Sequence, residues 1–172
     1  MPDAGFQLSG RQRRIILSAT AVLVLVLVNL EIVRKEAIVR EGTTVLLPLA
    51  PVDPRSLLQG DYMALRYAMA RHVAEEAEAA GISDGVAVIE LDDEQRAQFV
   101  ALYQGQGLAE SQHLLQFRKR GHSVRLASDA YFFEEGRGDT FANARFGDLR
   151  VSADGTAVLV GLSDGQGRRL GS

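Results

Sequence analysis

Cysteine is missing from all 172 residues, which excludes a disulfide framework, a thiolate metal site and a cysteine nucleophile. Its absence suits either side of a membrane. Tryptophan is also missing, and lysine occurs only twice, as Lys35 and Lys119. A desolvated lysine base therefore has at most two candidates. Three histidines, His72, His113 and His122, stand far apart and lack metal-ligand spacing. Positive charge is not in excess either. The first 33 residues hold Arg11, Arg13 and Arg14 against Asp3 and Glu31, a net +1, so with −3 overall the rest carries −4. That balance excludes a basic nucleic-acid footprint on the body of the chain. Internal repeats and low-complexity tracts are absent as well.

What the chain does have is one long apolar run. Ile15–Leu30 is interrupted only by Ser18, Thr20 and Asn29, and Val22–Val28 is wholly aliphatic. Continued to Val33 as a helix it spans about 28 Å, close to the hydrocarbon thickness of a bilayer. Cleavage as a signal peptide needs small residues that Asn29-Leu30-Glu31-Ile32-Val33 does not offer. A core helix would show a polar face, and Val22–Val28 has none. The expectation is a single-pass anchor at 15–33 after a short basic tail at 1–14. Arg11, Arg13 and Arg14 before the span are matched in number by Arg34, Lys35 and Arg40 after it. The tighter leading cluster favours a cytoplasmic N-terminus in the inner membrane and a C-terminal domain on the periplasmic or outer side.

Beyond the anchor the pattern turns to short segments. Residues 31–42 can prolong the helix as far as Gly42, a candidate C′ residue. Thr43–Ala50 is β-branched and ends at Pro51, which reads as a strand; Tyr62–Ala68 is the next. Ala70–Ala80 reads as a helix stopped by Gly81. Val86–Leu91 and Ala97–Tyr103 read as a hairpin turned at Asp92–Gln95, with a helix from Asp92 to Tyr103 as the competing reading. Leu114–Arg118 and Ser123–Ala127 flank a turn at Lys119-Arg120-Gly121-His122. Ala130–Glu134, Thr140–Phe146, Leu149–Ser152 and Thr156–Leu162 are strand-like, the last two joined by an Asp154-Gly155 turn. The glycine-rich polar tail at 163–172 is expected to fray. The fold class is mainly β, a β-rich α+β arrangement: one N-terminal transmembrane helix, then an antiparallel barrel-like or sandwich β-domain over 34–162.

The chain is organised around Pro51–Tyr67. Asp53-Pro54 makes a turn, Gly60-Asp61 a second break, and from Tyr62 the residues alternate. Met63, Leu65 and Tyr67 share one side; Tyr62, Ala64 and Arg66 share the other. The spelling Gly60-Asp61-Tyr62-x-x-Leu65-x-Tyr67, led by Asp53-Pro54-Arg55, resembles the GDYXXLXY family. Tyr131-Phe132-Phe133-Glu134-Glu135-Gly136 and Ala144-Arg145-Phe146-Gly147-x-Leu149-Arg150-Val151 are similar to that family's C-terminal part, with Phe146 where tyrosine is as frequent. The likeness spans roughly Asn29–Leu162. It implies a membrane-anchored domain of uncharacterised activity, often paired with multi-spanning membrane proteins.

Two functions compete. Ser56-Leu57-Leu58-Gln59-Gly60-Asp61 is partly similar to the turn that follows the nucleophile in membrane signal peptidases, which would make the chain a membrane-bound serine hydrolase. The serine falls at the wrong distance from the glycine, and neither Lys35 beside the membrane nor Lys119 in a charged turn looks buried enough to be a base. The carboxylates Asp53, Asp61, Asp92, Asp93, Glu134, Glu135 and Asp139 lack calcium-loop spacing, and Gly136-x-Gly138 lacks the setting of a phosphate loop. The preferred reading is not an enzyme. It is an accessory or binding module for an integral, multi-spanning membrane partner, with the lipid bilayer as its other contact and no cofactor or nucleic acid. The family-motif residues Asp53, Pro54, Arg55, Gly60, Asp61, Tyr62, Leu65, Tyr67, Glu134, Glu135, Arg145 and Arg150 are the candidate interface. Arg55 is expected to face the partner and Asp61 to serve the fold. In the alternative, structural reading the aromatics are core, and Arg145 or Arg150 pairs with Glu134, Asp53 or Asp61.

Overall fold

The computed structural model describes residues 9–50, 58–59, 62–121 and 123–171, the side chains at 58 and 59 excepted. The chain divides into two compact units, 1–37 and 38–172. Helix α1 covers Gly10–Glu41. Its start is a reciprocal cap: Gln12 N–H donates to Ser9 Oγ at 3.3 Å, and Ser9 N–H donates to Gln12 Oε1 at 3.0 Å. Two amide hydrogens that the first turn cannot satisfy are thereby paired. The apolar residues from Ile15 to Val33 are exposed all round, Leu25 at 61% and Val26 at 50%. The helix is long and apolar enough to cross a membrane. Asn29, one of the three polar interruptions, donates its side-chain amide to the Leu25 carbonyl at 2.8 Å, one turn back. Its amide donor thus finds an acceptor inside the helix, as hydrocarbon demands.

The described residues of the second unit form three antiparallel sheets. In the first, β9 (Phe146–Val151) lies between β1 (Thr43–Pro48) and β10 (Ala157–Ser163). In the second, β3 (Tyr62–Ala64) lies between β2 (Leu58–Gln59) and β8 (Ala130–Phe132). The third runs β5-β4-β6-β7, with β4 at Asp84–Leu91, β5 at Ala97–Leu102, β6 at Gln112–Arg120 and β7 at Ser123–Arg125. Helix α2 (Ala70–Ala79) buries Val73 and Ala77, one turn apart on one face, and exposes its glutamates. The sheets and α2 enclose a single cluster containing Val45, Leu47, Val73, Ile89, Leu115, Leu149 and Leu162.

Several turns follow from their residues. Asp92 to Tyr103 is the hairpin, not the helix. Asp92 Oδ1 accepts from the N–H groups of Glu94 (2.9 Å) and Arg96 (2.8 Å), while Gln95 takes a left-handed φ of 64°. The Gln95 carbonyl then receives Leu46 N–H at 2.8 Å, tying the turn to β1. The Asp154-Gly155 turn joins β9 to β10 as expected. Gly155 has φ 85°, and a Cβ there would stand 3.1 Å from the Gln116 backbone, so only glycine lets this turn lie on β6. Gly42 follows α1 for a different reason from the one its sequence suggests. Its φ is ordinary, but a Cβ would meet the Ile38 carbonyl at 2.5 Å and Val151 N at 3.1 Å.

Two expectations are corrected. Residues 140–146 are not one strand: Gly138–Phe141 forms a helical turn, α3, and a strand begins only at Phe146. The reason is tertiary, because Phe141 is 2% exposed and stacks on Phe133 (5.0 Å) and edge-on to Tyr131 (5.2 Å). The segment after Leu162, expected to fray, folds back on the domain. Ser163 ends β10 at 1% exposure, Asp164 caps the N–H groups of Gln166 and Arg168, and Leu170 N–H reaches the Leu162 carbonyl at 2.8 Å. Arg169 donates to the Val160 carbonyl and lies 3.9 Å from buried Asp148.

Candidate functional site

The site grows from β3 and the residues that follow it. The expected alternation is observed. Met63, Leu65 and Tyr67 are 3%, 6% and 5% exposed, whereas Arg66 is exposed and Tyr62 and Ala64 are half-buried. The inward set closes one wall of the core. Tyr67 reaches furthest: its hydroxyl donates to the Ser128 carbonyl at 3.0 Å, and its ring edge lies 3.1 Å from where a Cβ on Gly147 would be. A side chain at Gly147 would therefore press on this ring. Burial, with a smaller contribution from the charge of Asp129, pushes the Tyr67 hydroxyl far above its ordinary value of 10.0.

The outward set faces a different environment. Tyr62 pairs with Phe132 across β3 and β8, with ring centroids 5.7 Å apart. Phe132 is 74% exposed, more than any other large apolar residue described in the second unit, and β8 is a sheet edge. Its neighbours Tyr131 and Phe133 turn the other way, onto Phe141. Strand alternation alone dictates this split, since three successive aromatics cannot all face one side.

A groove of 780 Å³ lies beside the same segment, between α2 and β7. Leu65, Tyr67, Ala74 and Val124 supply apolar lining. Arg66, Arg71, Arg120 and Arg125 line it too, with Glu75, Glu78 and Asp129 among them. Arg71 pairs with Glu75 at 2.8 Å, Arg125 pairs with Asp129, and Glu78 takes Lys119 at 3.3 Å. The hydrogen bond from Arg71 holds the Glu75 carboxyl below its usual range. Among the described residues, Arg66 and Arg120 have no carboxylate partner. Among the described residues, no group of three or more histidines, aspartates and glutamates is gathered there as a metal site.

The candidate interface residues are only partly brought together. Asp53, Pro54, Arg55, Gly60 and Asp61 lie outside the described residues, as does Ser56. Tyr62 sits on the outward face, Leu65 and Tyr67 on the inward one. Glu134 and Glu135 are in the loop before α3, and Glu134 lies 4.0 Å from Arg137. The expected pairing of Arg145 or Arg150 with Glu134 is not formed. Arg150 binds Asp148 at 3.3 Å, two residues away on its own strand and so on the same face, and Arg145 donates to the Ala144 carbonyl at 3.0 Å. Lys119, expected to be unburied, has a side chain only 16% exposed. The groove's arginines were not singled out from sequence, because they come from three separated segments that only the fold assembles.

No curated protein and no solved structure matches the chain. A family model described as GDYXXLXY protein matches residues 24–162, which include the latter part of the apolar run of α1, the signature strand and both aromatic segments. With most of its length matched in this way, the chain belongs to the GDYXXLXY family.

Proposed function

We propose that this protein is a single-pass, membrane-anchored β-domain that serves as an accessory module for an integral membrane protein. Its N-terminus faces the cytoplasm and its domain lies on the outer side of the inner membrane. The observation that carries this reading is Phe132. A phenylalanine at 74% exposure on an edge strand, packed against Tyr62, leaves apolar area in water that a partner would cover. The apolar α1 supports the anchor, and the amide donor of Asn29 within it bonds to the helix's own backbone. The serine-hydrolase alternative needs Ser56 beside an uncommitted lysine. Lys119 is engaged by Glu78, and Ser56 is outside the described residues.

The test is purification of the full chain from a mild detergent extract, with and without Phe132→Ser. The wild type should bring down an integral membrane protein, and Phe132→Ser should lose it while the melting temperature stays within about 2 °C, as an exposed site implies. Equal recovery of the same membrane protein with both would remove Phe132 from the interface.

A further inference from the structure

The groove beside β7 has features that the aromatic face does not use. Among the described residues, strand β7 is the last strand of its sheet, paired with β6 on one side only. Its register sets Lys119 opposite Val124 and Arg120 opposite Ser123. Lys119 N–H donates to the Ser83 carbonyl at 2.6 Å, on the far side from β7. In an antiparallel ladder, pairs that exchange bonds alternate with pairs that turn their backbone groups away from each other. Lys119–Val124 is thus a pair of the second kind, and Val124 aims its N–H and C=O at the free edge. Neither group finds a partner among the described residues. Val124 also lines the groove.

An open backbone edge inside a concave, partly apolar channel is the geometry of strand addition, in which main-chain bonds give affinity and flanking side chains give selectivity. Here the flanking selectivity is electrostatic. Arg71, Arg125 and Lys119 are paired with carboxylates, whereas Arg66 and Arg120, which also line the groove, have no carboxylate partner among the described residues. Guanidinium groups favour carboxylates through paired, planar hydrogen bonds.

We propose that this groove takes an extended, glutamate- or aspartate-bearing peptide segment of a partner protein, added as a strand to β7 at Val124. One residue of the guest exchanges two backbone hydrogen bonds with Val124, and its acidic side chains meet Arg66 and Arg120. Neither Tyr62 nor Phe132 lines this groove.

The test uses the full chain in detergent micelles and fluorescence anisotropy of a labelled eight-residue peptide alternating glutamate with valine. Three further probes carry glutamine for glutamate, or N-methyl groups at odd or at even positions. Strand addition predicts saturable binding, at least about tenfold weakening with the glutamine peptide, and a difference of about tenfold or more between the two N-methylated peptides, because only one edge of the guest faces β7. Arg66→Glu with Arg120→Glu should weaken binding in the same way, with circular dichroism to confirm the fold. If that variant fails to fold, the peptide series decides alone. Absence of binding by the glutamate peptide, equal binding of the glutamine peptide, or equal behaviour of the two N-methylated peptides overturns the proposal. Phe132→Ser should leave peptide affinity unchanged, so loss of the aromatic interface and loss of this site are separately visible.

Discussion

Replacing Tyr67 with phenylalanine isolates what the last residue of the signature does. The ring stays and keeps its place against Gly147; only the hydroxyl and its 3.0 Å bond to the Ser128 carbonyl are lost. A single neutral hydrogen bond contributes about 0.5–1.5 kcal/mol net, and leaving its half-buried acceptor unpaired pushes the cost toward the upper end. We expect about 1–1.5 kcal/mol, or a fall of roughly 4–6 °C in melting temperature for a domain of this size. Tyr67→Ala removes the ring as well and should cost about 3–5 kcal/mol. The hydroxyl also leaves a signature in pH. Burial raises its folded value far above 10.0, so the folded state holds the proton more tightly than the unfolded chain does. The resulting stability is complete below about pH 10 and is lost as pH rises from there toward the folded value. Urea unfolding at pH 8, 9.5 and 11 should show wild type losing its advantage over Tyr67→Phe at the highest pH. Parallel profiles for the two proteins through pH 11, or no stability difference at pH 8, would refute the assignment.

Gly42→Val should cost about 1–3 kcal/mol by overpacking, since its Cβ lands 2.5 Å from the Ile38 carbonyl. Gly107→Ala, with open space around it, should stay within about 0.5 kcal/mol. Phe141→Ala removes the ring on which Tyr131 and Phe133 rest and should destabilise by about 3–5 kcal/mol in chemical denaturation. The full chain should remain in the membrane pellet through an alkaline wash, while the fragment from Arg34 onward is soluble and folded. Recovery of a mature form beginning after Leu30 would show that the apolar segment is a cleaved signal instead.

The parts of the fold that read correctly from sequence are those set by local physics. Period-two alternation in Tyr62–Tyr67 assigned the inward and outward faces, and Asp154-Gly155 announced its hairpin. The Asp92 turn was harder, because one carboxylate can cap a helix or close a turn, and only the left-handed Gln95 and its bond to Leu46 decide between them. Thr140–Phe146 misled because Phe141 has strand propensity, yet its neighbours Tyr131 and Phe133 recruit it into a helical turn. The charged residues were least legible. Arg150 finds Asp148 on its own strand rather than Glu134, and the groove gathers Arg66, Arg120 and Arg125 across sequence distances that no local pattern spans. The exposed Phe132 could have been found, since alternation through Tyr131-Phe132-Phe133 forces the middle ring outward.

The most direct test of the binding-module account is site-specific photocrosslinking in intact membranes, with a benzophenone amino acid at position 132. The account predicts a discrete adduct with an integral membrane protein, and none when the probe stands at the exposed Val100 on β5 instead. The absence of any protein adduct at position 132, or an identical adduct from position 100, would contradict it.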